Sequence, residues 1–184
     1  CMGGFVLPFA ALEQPEAWSV PPWDLAVEGV TSISADLHKL GYAPKGVSVL
    51  LHRSRALRRH QTFDFDGWLG GRYVTPNLQG TRSGLPMAAA WAVVRFLGVD
   101  GYRRLVRTAL EAADRIRAGV RATDGLMVPG DPRHHLLSIT SDVVADRPLD
   151  PYAVGDAMAS RGWHHDRQRP PDNLHLTVSA GNAP

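Results

Sequence analysis

A chain of 184 residues, 44% hydrophobic and 21% charged, has the composition of an ordinary globular protein, long enough to bury one real core or a small domain with part of a larger one. Twenty basic against eighteen acidic residues leave a formal charge of +2, so the balance does not call for nucleic acid or an anionic membrane as partner. A lone cysteine, Cys1, excludes an intrachain disulfide and fits a reducing cytoplasm, and no apolar run reaches the about 18 to 20 residues of a membrane span.

The chain opens Cys-Met-Gly-Gly-Phe-Val-Leu-Pro-Phe without an initiator methionine, like the interior of a domain, and stops one short turn after a strand-like alternation. Both termini therefore read as cuts in a longer polypeptide. Residues 14–27 carry Pro15, Pro21 and Pro22 with Trp18 and Trp23, a loop that the aromatics pin to a core. Residues 29–36 alternate and are β-branched, 37–41 break the pattern, and 47–51 resume it: a strand, a tight turn holding His38 and Lys39, and a second strand. Residues 60–84, rich in Gly and aromatics without a sustained period, read as an ordered loop. From 85 to 97 the spacing predicts a helix apolar around most of its circumference, with Met87 and Trp91 in the core, ended by Gly98 and Gly101. Apolar residues at 102, 105, 106, 109, 110, 113, 116 and 120 then predict a long amphipathic helix. Strands are expected at 126–128, 136–140 and 174–178, with Met127 in the core, and a helix at 151–161 with Asp150 as N-cap and Pro151 in its first turn. The chain is thus α/β: residues 1–100 form the second half of a larger domain, 101–122 a linking helix, and 123–184 part of a small α+β domain.

Chemistry concentrates in Ser32-Ile-Ser-Ala-Asp-Leu-His-Lys-Leu-Gly-Tyr-Ala-Pro-Lys-Gly46. A lysine at a strand end lies at the carboxyl edge of a sheet, where α/β proteins bind ligands, and an amine there can attack a carbonyl. His38 can donate to a phosphate, and Gly41 and Gly46 let the backbone approach closely. Single lysines after strands are mostly solvated charges; the extended motif is what lifts Lys39 above that reading.

The run from Val30 to Gly46 resembles the cofactor-lysine segment of the sphingosine-1-phosphate lyases, within the wider group II decarboxylase family of fold-type I pyridoxal-phosphate enzymes. Asp66-Gly-Trp-Leu-Gly-Gly-Arg-Tyr73 resembles that family's Asp-Trp-x-Gly-Gly-x-Tyr stretch with one residue inserted, and Thr75-Pro-Asn-Leu-Gln-Gly-Thr-Arg-Ser-Gly84 its Ser-Pro-x-x-x-Gly-Ser-Arg-x-Gly loop. Cys1-Met-Gly-Gly-Phe5 is similar to the strand end that follows an Asp-Ala pair. The resemblance implies the C-terminal part of a fold-type I large domain followed by part of the small C-terminal domain. It makes Lys39 the Schiff-base lysine of pyridoxal 5'-phosphate and His38 a contact of the cofactor phosphate. Ser34 and Asp36 become supports of the turn, as braces or as cofactor contacts. Gly80 and Thr81 match a loop that reaches the cofactor of the other subunit of a homodimer, and Tyr73 and Arg82 lie near the substrate channel. No metal site is implied.

The implied reaction is a retro-aldol cleavage of a phosphorylated long-chain amino alcohol to a long-chain aldehyde and phosphoethanolamine. In the family an Asp two positions before the match of Cys1 pairs with the pyridine nitrogen, and a ring-stacking His lies upstream; neither is in this sequence, so the chain alone is expected to be inactive. Two rivals stand beside that reading. One is an amino-acid decarboxylase, against which Asp36-Leu-His-Lys39 replaces the Asn-Pro-His-Lys usual there; the other is a non-catalytic fragment. Lys45 is the rival amine. Arg53, Arg55, Arg58 and Arg59 read as a solvated face, and His134–His135 and His164–His165 as surface histidines rather than metal ligands.

Overall fold

A computed structural model describes residues 5–13, 16, 18, 19 and 22–183; the expectations placed on Cys1 to Gly4, Pro15 and Pro21 lie outside them. Two compact units divide at Gly98. One holds the residues through Pro8 and those ending at Gly98, the other Phe9–Ser19 and the residues from Val99 onward. The chain begins with a short helix, Leu7–Glu13 (α1), which the composition of the opening segment did not announce.

In the first unit, β1 (Ser32–Asp36) and β2 (Ser48–His52) pair antiparallel, with Ser34 opposite Leu50 and Asp36 opposite Ser48. The expected strand, turn and strand are present, but the sheet is a two-stranded hairpin among the described residues rather than the carboxyl edge of a larger one. The turn closes through Lys39 N–H to the Asp36 carbonyl at 3.2 Å and Ala43 N–H to the Leu37 carbonyl at 3.0 Å. Gly41 is demanded by this geometry, since a Cβ on it would sit 2.6 Å from the Leu37 carbonyl oxygen.

Residues 60–84 are more regular than a loop. After α2 (Arg55–Arg58), capped by the Ser54 hydroxyl at 3.2 Å from Leu57 N, and a 3-10 turn at Arg59–Gln61, β3 (Phe63–Phe65) pairs with β4 (Tyr73–Thr75). Three residues per strand are too few for a period of two to register in sequence. Cross-strand aromatics hold the pair, with Phe63 and Tyr73 ring centroids 6.4 Å apart.

The helical stretch α3 runs Gly84–Arg121 and is broken at Gly98, whose φ of 56° and ψ of −172° leave the helical region as its sequence position predicted. The expected burial of the part before Gly98 does not hold. Ala90 is buried, but Met87 is 53%, Trp91 68% and Phe96 89% exposed, because the described residues of this unit cover only the stripe around Ala90 and Val94.

In the second unit, the part of α3 after Gly98 buries Tyr102, Val106, Ala109, Leu110, Ala113 and Val120, as its spacing requires, and Ala112 besides, while Leu105 and Ile116 are half-buried. Strands β5 (Leu126–Met127), β6 (Leu136–Ser141), β7 (Asp166–Gln168) and β8 (Asn173–Thr177) form one antiparallel sheet in the order β5-β6-β8-β7. Ile139 pairs with Leu174 and Leu137 with Leu176, and these join Ala113, Val120 and Val178 in one core. Helix α4 (Pro151–Ala159) starts as expected, the Asp150 carboxylate accepting from Tyr152 N at 2.8 Å. Strand β7 was not foreseen, because Asp-Arg-Gln on a sheet edge carries no apolar alternation, and Met127 is 38% exposed at a sheet end rather than core.

Candidate active site

The hairpin β1–β2 presents Lys39 three residues past the end of β1, on a turn whose flanks are apolar. Leu37, Ala43 and Val47 are buried and pack with Ala90 of α3, so the turn is seated on that helix while the lysine side chain stays 39% exposed. Its Nζ lies 2.9 Å from Asp36 Oδ2. Across the hairpin the Ser48 hydroxyl donates to Asp36 Oδ1 at 2.5 Å. The Ser48 hydroxyl first, then Lys39, pulls the Asp36 carboxyl down to about 2, so it is ionised at any working pH. His38 Nδ1 is 2.8 Å from the Val47 carbonyl, which it meets as a donor; this fixes the ring and leaves Nε2 without a partner among the described residues.

The other sequence-derived residues divide into two groups. Ser34 is exposed on β1 in the same hairpin. Lys45 is exposed further along the connection and makes no ion pair among the described residues. Tyr73 and Gly80 come together on the second hairpin, the Tyr73 hydroxyl lying 3.5 Å from where a Gly80 Cβ would stand, with Gly80 at a φ of 63°. Thr81 and Arg82 follow, exposed, with no hydrogen bond or ion pair to the Lys39 turn among the described residues.

Sequence reasoning missed Ser48 and the Val47 carbonyl, which become partners of Asp36 and His38 only once the hairpin register is known. It also misjudged side chains read as solvated. Arg53 donates from Nε to the Val30 carbonyl at 2.7 Å and from its terminal nitrogen to the Val27 carbonyl, stapling the preceding loop, while Arg55, Arg58 and Arg59 are exposed. His135 is 1% exposed in the second unit with neither ring nitrogen bonded, and desolvation pushes it down to about 4. His134 meets the Trp18 carbonyl at 2.9 Å, and the His165 Nε2 is enclosed without a partner. Of the four, His164 alone is exposed as expected. Among the described residues no group of three His, Cys, Asp or Glu could hold a metal ion. An apolar recess of about 740 Å³ lies in the second unit, floored by Ile116, Val120, Ile139 and Val178; Lys39 is not part of it.

No protein-family model matches the chain. Individual proteins do. A sphingosine-1-phosphate lyase of Arabidopsis thaliana is 40% identical over 100% of this chain and 32% of its own length. The solved structure of a Burkholderia pseudomallei sphingosine-1-phosphate lyase superposes with a TM-score of 0.89 at 43% identity, over 100% of this chain and 40% of that one. The chain is similar throughout its length to part of these sphingosine-1-phosphate lyases. It spans about a third of the length of the Arabidopsis lyase. A probable L-tyrosine/L-aspartate decarboxylase of Methanothrix thermoacetophila is 38% identical over 96% of this chain and 42% of its own length. Solved decarboxylase-type structures holding PLP share the α/β fold as well. Among the described residues no helix is long and apolar enough to cross a membrane.

Proposed function

We propose that the chain is part of a pyridoxal-phosphate-dependent carbon–carbon lyase that cleaves a phosphorylated long-chain amino alcohol, resembling sphingosine 1-phosphate, to a long-chain aldehyde and phosphoethanolamine. The observation that carries the reading is the Lys39 turn: a reachable amine, beside an imidazole whose Nδ1 is fixed at 2.8 Å to a backbone carbonyl, on a buried apolar base. That donor set fits the cofactor. Lys39 would hold its aldehyde carbon, and His38, which as an imidazolium donates from both ring nitrogens, would meet its phosphate through Nε2 while Nδ1 keeps the Val47 carbonyl. Ser34 and Asp36 support the turn. When bound, pyridoxal phosphate supplies a sink for the electron pair that the broken bond leaves behind.

In this reading, residues 1–100 are the second half of the cofactor-binding large domain, 101–122 a linking helix, and 123–184 part of the C-terminal domain. The active unit is a homodimer in a reducing cytoplasm. Exposed Thr81 and half-buried Gly80 reach the neighbouring subunit's cofactor phosphate, and Tyr73 and Arg82 flank the substrate channel. Support for the dimer is the resemblance of residues 75–84 to the family's loop that reaches the other subunit.

One observation favours a second reading: the 38% identity to a probable decarboxylase allows loss of carbon dioxide from an amino acid instead. Two measurements on the intact protein decide. Borohydride fixation followed by peptide mass spectrometry is expected to place the cofactor on Lys39, and Lys39→Ala to abolish fixation; cofactor on Lys45 would sink the assignment. Aldehyde and phosphoethanolamine released from the phosphorylated amine support the lyase, whereas carbon dioxide from tyrosine or aspartate without aldehyde supports the rival.

A further inference from the structure

We infer that Asp36 and Ser48 form a seat for the Lys39 amine whenever that lysine is off the cofactor, with Ser48 as a positioning residue that acts through Asp36. The inference rests on Lys39 being the cofactor lysine, as proposed above. When a substrate amine takes the cofactor carbon, its C–N bond forms as the bond to Lys39 breaks, and two protons pass from the substrate nitrogen to Nζ. The lysine is then a free amine on a four-carbon stem that must come back to the same carbon at the end of each turnover. A side chain of that kind has much rotamer freedom to lose, so a fixed resting place shortens its search.

The hairpin provides such a place. The two oxygens of Asp36 are divided between two partners: Oδ2 faces Nζ at 2.9 Å, and Oδ1 accepts from Ser48 at 2.5 Å. Asp36 and Ser48 are direct cross-strand neighbours, so the bond that aims the carboxylate spans the closing pair of the ladder and does not depend on a mobile loop. His38 is tied to the adjacent Val47 carbonyl, so both flanks of the turn are anchored to residues 47 and 48 while Lys39, 39% exposed, keeps room to swing. The carboxylate stays charged throughout, as its depressed titration requires. Nothing else among the described residues has an ion pair to Lys39, and Lys45 has no comparable seat.

The test uses the intact protein freed of cofactor, pulsed with an acylating reagent and mapped by mass spectrometry, with Lys45 as internal reference. In Ser48→Ala and Asp36→Asn, labelling of Lys39 relative to Lys45 is expected to rise about two- to fivefold, the range for loss of a partly exposed ion pair. Ser48→Thr, which keeps the hydroxyl, is expected to restore the original ratio. An unchanged ratio in Ser48→Ala overturns the seat, as does an equal rise at both lysines, which would report general loosening. Should Asp36→Asn fail to fold, Ser48→Ala decides alone. Fixation of the cofactor on a lysine other than Lys39 would defeat the reading it rests on, whereas a flat labelling ratio with the cofactor on Lys39 defeats the seat only.

Discussion

The two units of the chain bury their apolar residues very differently. In the second, Leu110, Ala113 and Leu174 are fully enclosed, and helix and sheet share one core. In the first, Leu50, Leu51, Phe63, Trp68, Trp91 and Phe96 face outward, and the buried cluster amounts to the base of the lysine turn and Ala90. The difference teaches that stability of this chain resides in the second unit and candidate chemistry in the first. Apolar faces of the first unit's kind commonly mark interfaces, and in the proposed homodimer other surfaces would cover them.

Core deletion should expose the contrast most sharply. Leu174→Ala removes a side chain of zero exposure that packs within reach of Gly155 on α4, and is expected to cost about 2–5 kcal/mol, read as a lower denaturation midpoint. A cost below that of a surface substitution would mean the second unit is not the stable one.

A second test uses His135. Its folded-state titration is lowered to about 4 by desolvation, from the ordinary 6.5, so the unfolded chain takes up a proton that the folded one refuses. Stability from neutral His135 is complete above pH 6.5 and falls as the pH drops toward 4, by about 3 kcal/mol over that window. In His135→Leu that part of the acid sensitivity should vanish, seen as a flatter plot of unfolding free energy against pH; an unchanged slope would show the ring is hydrated.

Glu13 gives a smaller effect of opposite pH sense. Its carboxylate, almost fully enclosed, accepts from Arg107 at 2.7 Å and from Arg103, and these bonds, Arg107 first, lower its titration. Stability from it is present above the unfolded value and lost as pH falls through the folded one. Glu13→Gln should cost about 1–2 kcal/mol near neutrality, with variant and parent converging in acid, measurable by thermal melts at two pH values.

What the sequence made legible was the part with long periods or strong local chemistry. The lysine turn stood out through its break in alternation, the helix after Gly98 through its spacing, and α4 through Asp150 and Pro151. Short pairings were invisible, because β3, β4 and β7 are three residues each and β7 is wholly polar. Ser48 was hidden for another reason: its tie to Asp36 crosses the hairpin, and only register brings those two positions together. His135 looked like a surface residue because composition cannot tell which of two adjacent histidines just before β6 points inward.

Trp91 supplies the smallest effect and the sharpest reading of the contrast. The expectation that it lies in the core followed from an almost uninterrupted apolar helix, yet it is 68% exposed, and in this chain Trp91→Ala should change stability by no more than about 0.5 kcal/mol. Apolarity without cover is costly in water, so the physical argument for burial survives if the cover comes from elsewhere. In the intact protein the same substitution should then cost about 3–5 kcal/mol, as a buried Trp does. Equal, small shifts of the melting midpoint in both settings would leave the apolar face before Gly98 with no packing role, and with it the idea that the first unit is completed by surfaces outside itself.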